Sequence, residues 1–367
     1  MTAGAGAILV INAGSSSVKF SLFQDGSGLK LLADGKVEGI GGQPAFTATD
    51  HRDRNDKKTL PAASTHEAAL KFILEWIGKQ PVGAVAHRIV HGGTSFTAPV
   101  RITPDVMKQL EKLIPLAPLH QPHNLAAVKI MDKIRPDVPQ VACFDTAFHA
   151  HHDPLFARYA LPDSLFKKGI RRYGFHGLSY EWIAHVLKHD EPKLAKGRVI
   201  VAHLGNGASL CAMKDGKSID TTMGMTALEG LPMGTRCGAL DPGAVIYMIR
   251  DLGMSPEGTE HILYNESGLK GLSGSTNDVR ALLASSDEKA KFALDYFSLH
   301  TAQFMGMMAV ALGGVDGIVF TGGIGENAGP VRDGILKRLE FLKPFETRVI
   351  PANEERMMAM HARALLA

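Results

Sequence analysis

The apolar positions of this chain fall into short continuous runs separated by turns of small residues, alternating with stretches that repeat at helical spacing. Ala7 to Val10 is an unbroken apolar run, as expected of a strand buried on both faces. Asn12 to Ser17 is a turn of small residues, and Val18 to Phe23 alternates as a second strand. The same order of strand, loop and strand returns at Arg198 to Met213, where VIVA leads into HLGNG and then ASLCAM. A repeat at such a distance predicts a duplicated domain, not a solenoid. A third glycine-rich turn follows Gly317 to Phe320 in GIVFTGGIGEN, and there the pattern predicts a helix opening near Asn327 with Pro330 in its first turn. Other helices are predicted over Glu67 to Ile77, Pro104 to Leu113, Tyr180 to Leu187 and Ala281 to Leu312, interleaved with the strand-like runs VGAVAHRIV and VPQVACFD. The mixture predicts α/β architecture.

Two stretches invite other readings. Tyr296 to Val315 is 20 residues without Asp, Glu, Lys or Arg, about the length of a spanning helix. Ser298, His300, Thr301 and Gln303 would be costly in lipid, so a buried helix is expected there and no membrane partner. Gln43 to Ser64 is polar and turn-rich; its HRDRNDKK run reads as a solvated hairpin or loop in preference to a nucleic-acid patch.

The length of 367 residues predicts two domains or three, with a boundary expected near residue 150, after the polar segment TAFHAHHD. Hydrophobic residues at 45% and charged residues at 21% exclude a disordered chain or a fibre. Lys+Arg 40 against Asp+Glu 37 leaves a net charge of +3, too slight for a general nucleic-acid or membrane-surface field, so any anion site is local. Cys143, Cys211 and Cys237 lie far apart without CxxC spacing, which predicts a reducing, cytoplasmic compartment. The start MTAGAGAILVINAG has no basic residue before its short apolar run, which Asn12 and Gly14 interrupt, so no export signal is expected.

The candidate chemistry is in the turns. In NAGSSSVKF one glycine and three serines could cradle a phosphate, with Lys19 on the following strand supplying charge. This is not a Walker A loop, because Val18 precedes Lys19 and the chain continues as a strand. The turn from His203 to Gly207 has two glycines that let backbone approach a ligand, and TGGIGEN does the same ahead of a helix. Three such loops at strand ends, shared between two duplicated halves, predict a nucleotide held in a cleft between domains.

The middle of the chain is rich in His and Arg beside glycine or proline: HRIVHGG, PLHQPHN, FDTAFHAHH, RRYGFHG and GTRCG. His149, His151 and His152 approach zinc-ligand spacing, but no HExxH pattern or second ligand pair accompanies them. Arg88 and Arg236 could fork onto a carboxylate or a transferring phosphoryl group, or could form structural salt bridges. Asp145, after the apolar run VACF, stands where α/β sheets place functional residues; a turn or capping aspartate is the alternative.

Together VINAGSSSVKF, HRIVHGG, FDTAFH, IRRYGFHG, HLGNGAS, LPMGTRCGALDPG and GGIGEN, in this order, resemble the acetate kinases, within the acetate and sugar kinase, Hsp70 and actin superfamily. The resemblance extends from about residue 8 to residue 356. It implies two duplicated actin-like (ribonuclease H-like) domains: 1–148 plus 351–367, carrying the acyl substrate side and the phosphate hairpin, and 149–350, carrying nucleotide binding and dimerisation. It implies reversible, magnesium-dependent phosphoryl transfer from ATP to acetate, with manganese as an alternative metal, in a cytoplasmic homodimer. Position by position, Asn12 and Glu354 match the magnesium-associated pair and Lys19 the lysine near the ATP phosphates. Arg88 matches the substrate-binding arginine, while Val90, Leu119 and Phe175 match the pocket for the acyl methyl. His203, Leu204, Gly205, Asn206 and Gly207, then Asp278, Val279 and Arg280, and Gly323, Ile324, Gly325, Glu326 and Asn327 match the ATP-contacting segments. Asp145, His176 and Arg236 match the catalytic residues.

A short carboxylic acid is already ionised near neutral pH and needs no base, so Asp145 is expected to orient metal or acceptor and not to carry a proton. Transfer brings two anions together, so Arg88, Arg236, His176 and magnesium are expected to act by positioning and neutralisation in one in-line step. The chain departs from the family at GFHGLSY, where Thr-Ser-His is the usual ending, in its short tail around Glu354, and at Ala227 in MTALEG, where proline is common. A smaller residue at Ala227 would admit propionate beside acetate. Two rival readings follow: a propionate kinase of the same family, and a nucleotide-binding sensor of the same fold without turnover.

Overall fold

The structure, a computed structural model, describes residues 6–26, 28–51, 54–78 and 80–366. The chain divides into two compact units: one extends to Ala147 and takes in the C-terminal segment from Asn353, and the other is Phe148–Ala352.

The first unit is built on one sheet of eight strands: β1 (Ala7–Ala13), β2 (Ser17–Gln24), β3 (Leu31–Glu38), β4 (Ala45–Asp50), β5 (Asn55–Thr59), β6 (Val82–Ile89), β7 (Val100–Arg101) and β8 (Gln140–Phe144). Their order is β5-β4-β3-β2-β1-β6-β8-β7. β1 runs antiparallel to β2 and parallel to β6, and β6 runs parallel to β8. Strands with partners on both sides and helices over their faces are apolar throughout, hence the buried runs AILVINA and QVACF. At the edge, β5 reads NDKKT and is largely exposed, its charges discouraging further strand addition. Part of the core is aromatic: Phe20 and Trp76 both lie against Phe46. The helix Glu354–Leu366 brings the end of the chain back onto β1 and β6.

The second unit repeats the plan with five strands, β9 (Arg198–Leu204), β10 (Ala208–Lys214), β11 (Lys217–Thr221), β12 (Gly317–Thr321) and β13 (Glu346–Val349), in the order β11-β10-β9-β12-β13. Here too an antiparallel three-strand run joins two parallel strands, with β9 in the place of β1. The central five strands of the first sheet, β3-β2-β1-β6-β8, have the same order and senses. The strand, loop, strand repeat seen in the sequence is therefore a duplicated topology, the actin-like one.

Three local expectations need correction. Ala281 to Leu312 is not one helix: Val279–Ala284 ends at Ser285, and Glu288–Leu312 starts afresh where the Asp287 side chain accepts from the Lys289 N–H. A capping aspartate competes with helix continuation, and here it wins. The turn GGIGEN is itself the short helix Gly322–Asn327, while the helix expected near Asn327 opens at Gly329 with Pro330 in its first turn, as predicted. Tyr180 to Leu187 is only the middle of the helix Gly177–Asp190.

The polar stretch Gln43 to Ser64 holds the β4–β5 hairpin; Arg52 and Asp53 of its charged run, like residues 1–5, lie outside the described residues. The uncharged stretch from Tyr296 falls in the helix Glu288–Leu312, whose buried side includes Phe297, Thr301, Met305 and Met308. Among the described residues no helix is long and apolar enough to cross a membrane.

Candidate active site

In the first unit the candidate residues gather at the C-terminal ends of the parallel strands. Asn12 lies directly opposite Lys19 in the β1–β2 ladder, with Asn12 half-buried and Lys19 exposed. Arg88 comes near the end of β6, and Asp145 follows β8, where the parallel register Ile89 to Phe144 brings the two strand ends side by side. The arginine grips the aspartate side-on: Nε donates to Oδ1 at 2.9 Å and Oδ2 at 3.1 Å, and Nη2 to Oδ2 at 2.7 Å. Asp145 is 1% exposed. This geometry occupies the Nε edge of the guanidinium and leaves its Nη1–Nη2 end as the fork for a second carboxylate.

Glu354, the first residue of the C-terminal helix, places Oε2 3.9 Å from Arg88 Nη1. Burial pushes its carboxyl up to about 7; the Arg88 charge opposes this, and the neighbouring Asp145 and Glu355 charges reinforce it. Two carboxyl groups beside one arginine make an oxygen-rich site that suits a cation, and a cation there would favour the ionised form of Glu354. The oxygen donors Asn12, Asp145 and Glu354 are of the hard kind that magnesium takes. Among the described residues no three His, Cys, Asp or Glu are grouped as a metal cage. Val90 is half-buried and Leu119 is 43% exposed.

In the second unit His176 is the pivot. Its backbone is left-handed at φ 57° where it starts the helix Gly177–Asp190. Its Nδ1 is 2.8 Å from Ser209 Oγ, which also meets the Tyr180 hydroxyl at 2.5 Å. The ring stacks on His203 at 4.3 Å between centroids, and His203 Nδ1 pairs with Ser179 Oγ at 2.8 Å. A side chain on Gly207 would come within 3.2 Å of His176 Nε2, so bare backbone gives the imidazole its room, while Arg236 Nη1 lies at ordinary contact distance, 3.6 Å. Arg236 Nη1 also donates to the Ala227 carbonyl at 3.0 Å.

The turn after β9 is held from outside. Asn206 O accepts from Gly234 N–H at 2.9 Å, and Asn206 Oδ1 accepts from Asn277 Nδ2 at 2.8 Å. Leu204 and Val279 turn their side chains into the core, which leaves only their backbone to meet a ligand. Asp278 caps the helix Val279–Ala284 and pairs with the exposed Arg280. Gly323, Ile324, Gly325 and Asn327 form the short helix with Glu326, whose Oε1 accepts from both Gly322 N–H and Ala352 N–H at 2.9 Å. At least one oxygen of Glu326 is thus occupied in holding the loop shut.

The His-rich segment is also explained. His149 Nε2 meets the Phe175 carbonyl at 2.9 Å and so carries the proton; its Nδ1 lies 2.7 Å from Ser218 Oγ, which His152 Nε2 approaches at 2.7 Å. Burial lowers both imidazoles, His149 to about 4 and His152 to about 3, so both stay neutral at neutral pH. They brace Phe175, itself buried, and through it the turn to His176.

With this geometry in view, the comparisons with known proteins decide the family. The sequence model of the acetokinase family matches residues 7–359. The chain is 47% identical to the acetate kinase of Nitrobacter hamburgensis over an alignment 389 positions long, covering 98% of this chain and 96% of that one. It belongs to the acetokinase family. Among solved structures it resembles the acetate kinase of Porphyromonas gingivalis, with a TM-score of 0.88 at 36% identity over 99% of this chain and 100% of that one. It also resembles a propionate kinase from Francisella tularensis, with a TM-score of 0.91 at 36% identity over 98% of this chain and 100% of that one. As an acetokinase it is a phosphotransferase with acetate as acceptor and ATP as co-substrate.

Sequence reading missed the supports around these residues. Ser209 and Tyr180 hold His176, and His66, Gln121 and Asn124 hold the first-unit backbone. Gln121 and Asn124 stood in plain view in PLHQPHN, but their partners are backbone atoms and leave no trace in composition.

Proposed function

We propose that this acetokinase makes acetyl phosphate by direct in-line transfer, with the first unit handling the acyl acceptor and the second the nucleotide. The observation that carries the reading is the side-on Arg88–Asp145 pair, which fixes the guanidinium at the strand ends and turns its Nη1–Nη2 end, beside Glu354, toward a second carboxylate. The acetate carboxylate takes that fork, and Val90 and Leu119 of the same unit receive its methyl group. One acetate oxygen forms its bond to the γ-phosphorus as the bond from phosphorus to the ADP oxygen breaks; no proton moves. Asp145 acts by fixing Arg88 and as an oxygen donor. Arg236 and His176 neutralise the transferring group, and Lys19 the neighbouring phosphates. Asn12 and Glu354, with Asp145 beside them, would hold magnesium, or manganese in its place, and the ion would supply neutralisation of the phosphate oxygens. The turns 203–207, 278–280 and 323–327 receive ATP chiefly through backbone and small residues.

The homodimer has its support in the second unit. The helix Pro242–Arg250 buries none of its residues, and Ile246, Tyr247 and nearby Leu252 are exposed, as are Phe292, Met307 and Val310 on the helix Glu288–Leu312. Apolar surface on this scale is ordinarily covered. The free cysteines, with Cys143 and Cys211 buried, suit a reducing cytoplasm. The propionate reading retains one specific observation in its favour, Ala227, whose carbonyl also holds Arg236.

The test is magnesium-dependent acyl phosphate formation from ATP, trapped as the hydroxamate, across formate, acetate, propionate and butyrate. Acetate preference is expected. Propionate preference would move the assignment within the family, and ATP binding without any acyl phosphate would leave the sensor.

A further inference from the structure

The geometry points to Asn124 as a positioning residue that ties the phosphate hairpin to the acceptor-binding strand, with His66 as a second latch on the hairpin alone. The inference rests on the reading above, in which the hairpin serves ATP and the end of β6 serves acetate.

The turn between β1 and β2 has its carbonyls drawn away. Ala13 O accepts from Asn124 Nδ2 at 2.7 Å, and Gly14 O is 2.8 Å from His66 Nε2, which must therefore carry the proton. Ser16 O accepts from Ile40 N–H at 2.9 Å and Ser17 O from Gly14 N–H at 2.8 Å. A phosphate is repelled by carbonyl oxygens and held by N–H and O–H donors. With these carbonyls fixed to the protein, the exposed Ser15 and Ser16 are left to present donors.

Asn124 is 5% exposed, and both ends of its amide are in use. While Nδ2 donates to Ala13 O, Oδ1 accepts from Val90 N–H at 3.0 Å, two residues beyond Arg88. The amide has one workable orientation, since turning it over would set oxygen against carbonyl and N–H against N–H. One turn earlier on the helix Gln121–Ile134, Gln121 does the same for the next residue, accepting from His91 N–H and donating to His91 O, each at 3.1 Å. The β6–β8 ladder ends at Ile89, so these two amides replace the missing strand for residues 90 and 91.

A single side chain thus sets the hairpin and the Arg88 strand in register. Asn124→Asp keeps an acceptor for Val90 but places a carboxylate against Ala13 O, so it should raise the KM for ATP by about 10-fold and the KM for acetate by less than about 2-fold. Asn124→Leu removes both bonds and should raise both KM values by about 10-fold or more. His66→Ala, in a less buried position, should raise only the KM for ATP, by about 3-fold, with recovery in His66→Gln.

The experiment is steady-state kinetics in both substrates on the full-length wild type and these variants, with thermal unfolding of each. The selective ATP effect of Asn124→Asp and His66→Ala is the expected result. Equal shifts in both KM values for those two variants, or lower melting temperatures with unchanged KM values, would overturn the coupling. If Asn124→Asp does not fold, His66→Ala and His66→Gln decide the hairpin latch, and Asn124→Ser, which retains a smaller donor and acceptor, decides the amide. Wild-type protein that forms no acyl phosphate would instead overturn the underlying reading, and the inference with it.

Discussion

The two hairpins that open the two sheets have the same topology and different principal supports. In the first, the turn after β1 is fixed by side chains reaching in from helices, His66 and Asn124, which take its carbonyls. In the second, the turn after β9 is fixed chiefly by two other loops: the Gly234 N–H and the Asn277 amide hold Asn206, while Ser179 of the helix Gly177–Asp190 pairs with His203. A serine-rich turn presents hydroxyls and tolerates neighbours at a distance, whereas a glycine-rich turn lets its backbone and the catalytic candidate His176 come close. Duplication therefore preserved the strand order and left the chemistry of each turn to its surroundings.

Arg236 carries the largest expected effect of the second turn's surroundings. Arg236→Ala should lower turnover by about 10³-fold or more, as for other arginines that stabilise a transferring phosphoryl group. Near-normal turnover in a folded variant would remove the second hairpin's claim to catalysis. Asp145→Asn should lower magnesium-dependent turnover by about 10²-fold without moving the acidic limb of the pH profile. A shift of that limb would return proton transfer to Asp145.

The supports themselves can be compared through glycine. A side chain on Gly234 would lie 2.1 Å from Asn206 Oδ1, while one on Gly14 would meet Ser17 Oγ at 3.3 Å and Ser17 O at 3.9 Å. Gly234→Ala should therefore weaken ATP binding by about 10-fold or more, and Gly14→Ala by about 3-fold at most, in a nucleotide titration. Equal effects would show that the two turns are not held differently. Ala227→Pro keeps the carbonyl that Arg236 uses and adds bulk, so the ratio of propionate to acetate kcat/KM should fall by about 10-fold.

The smallest effect concerns acid. Each unit locks a pair of neutral histidines: His87 and His91, both lowered to about 4 by burial, in the first; His149 and His152 in the second. Because their folded values lie below the unfolded one, stability is complete above pH 6.5 or so and falls as the unfolded chain takes up protons that the fold refuses. By pH 6 the loss should be under about 1 kcal/mol per histidine, growing toward pH 4. Denaturant unfolding across that range, with hydrogen exchange to separate the units, should show both weakening together.

Much of the fold was legible along the chain. The buried strand runs at Ala7 and Val199, and the small residues after each, were enough to predict duplication, because a strand covered on both faces must be apolar and a tight turn must be small. The short GGIGEN helix was not legible, since glycine argues against helix locally; a carboxylate four residues on, Glu326, accepts from the first glycine and closes the turn. The candidate residues could be named from their motifs, and their supports could not. Arg88 and Asp145 are 57 residues apart, and nothing in either segment announces a side-on pair.

The sequence by itself determined the architecture, the family and the cast of charged residues, because periodicity and short motifs are local properties. The tertiary structure alone decided which edge of Arg88 is occupied, which carbonyls are drawn back from the first hairpin, and which histidines are locked neutral. Those outcomes depend on hydrogen bonds between side chains and distant backbone atoms, and every residue has the same backbone.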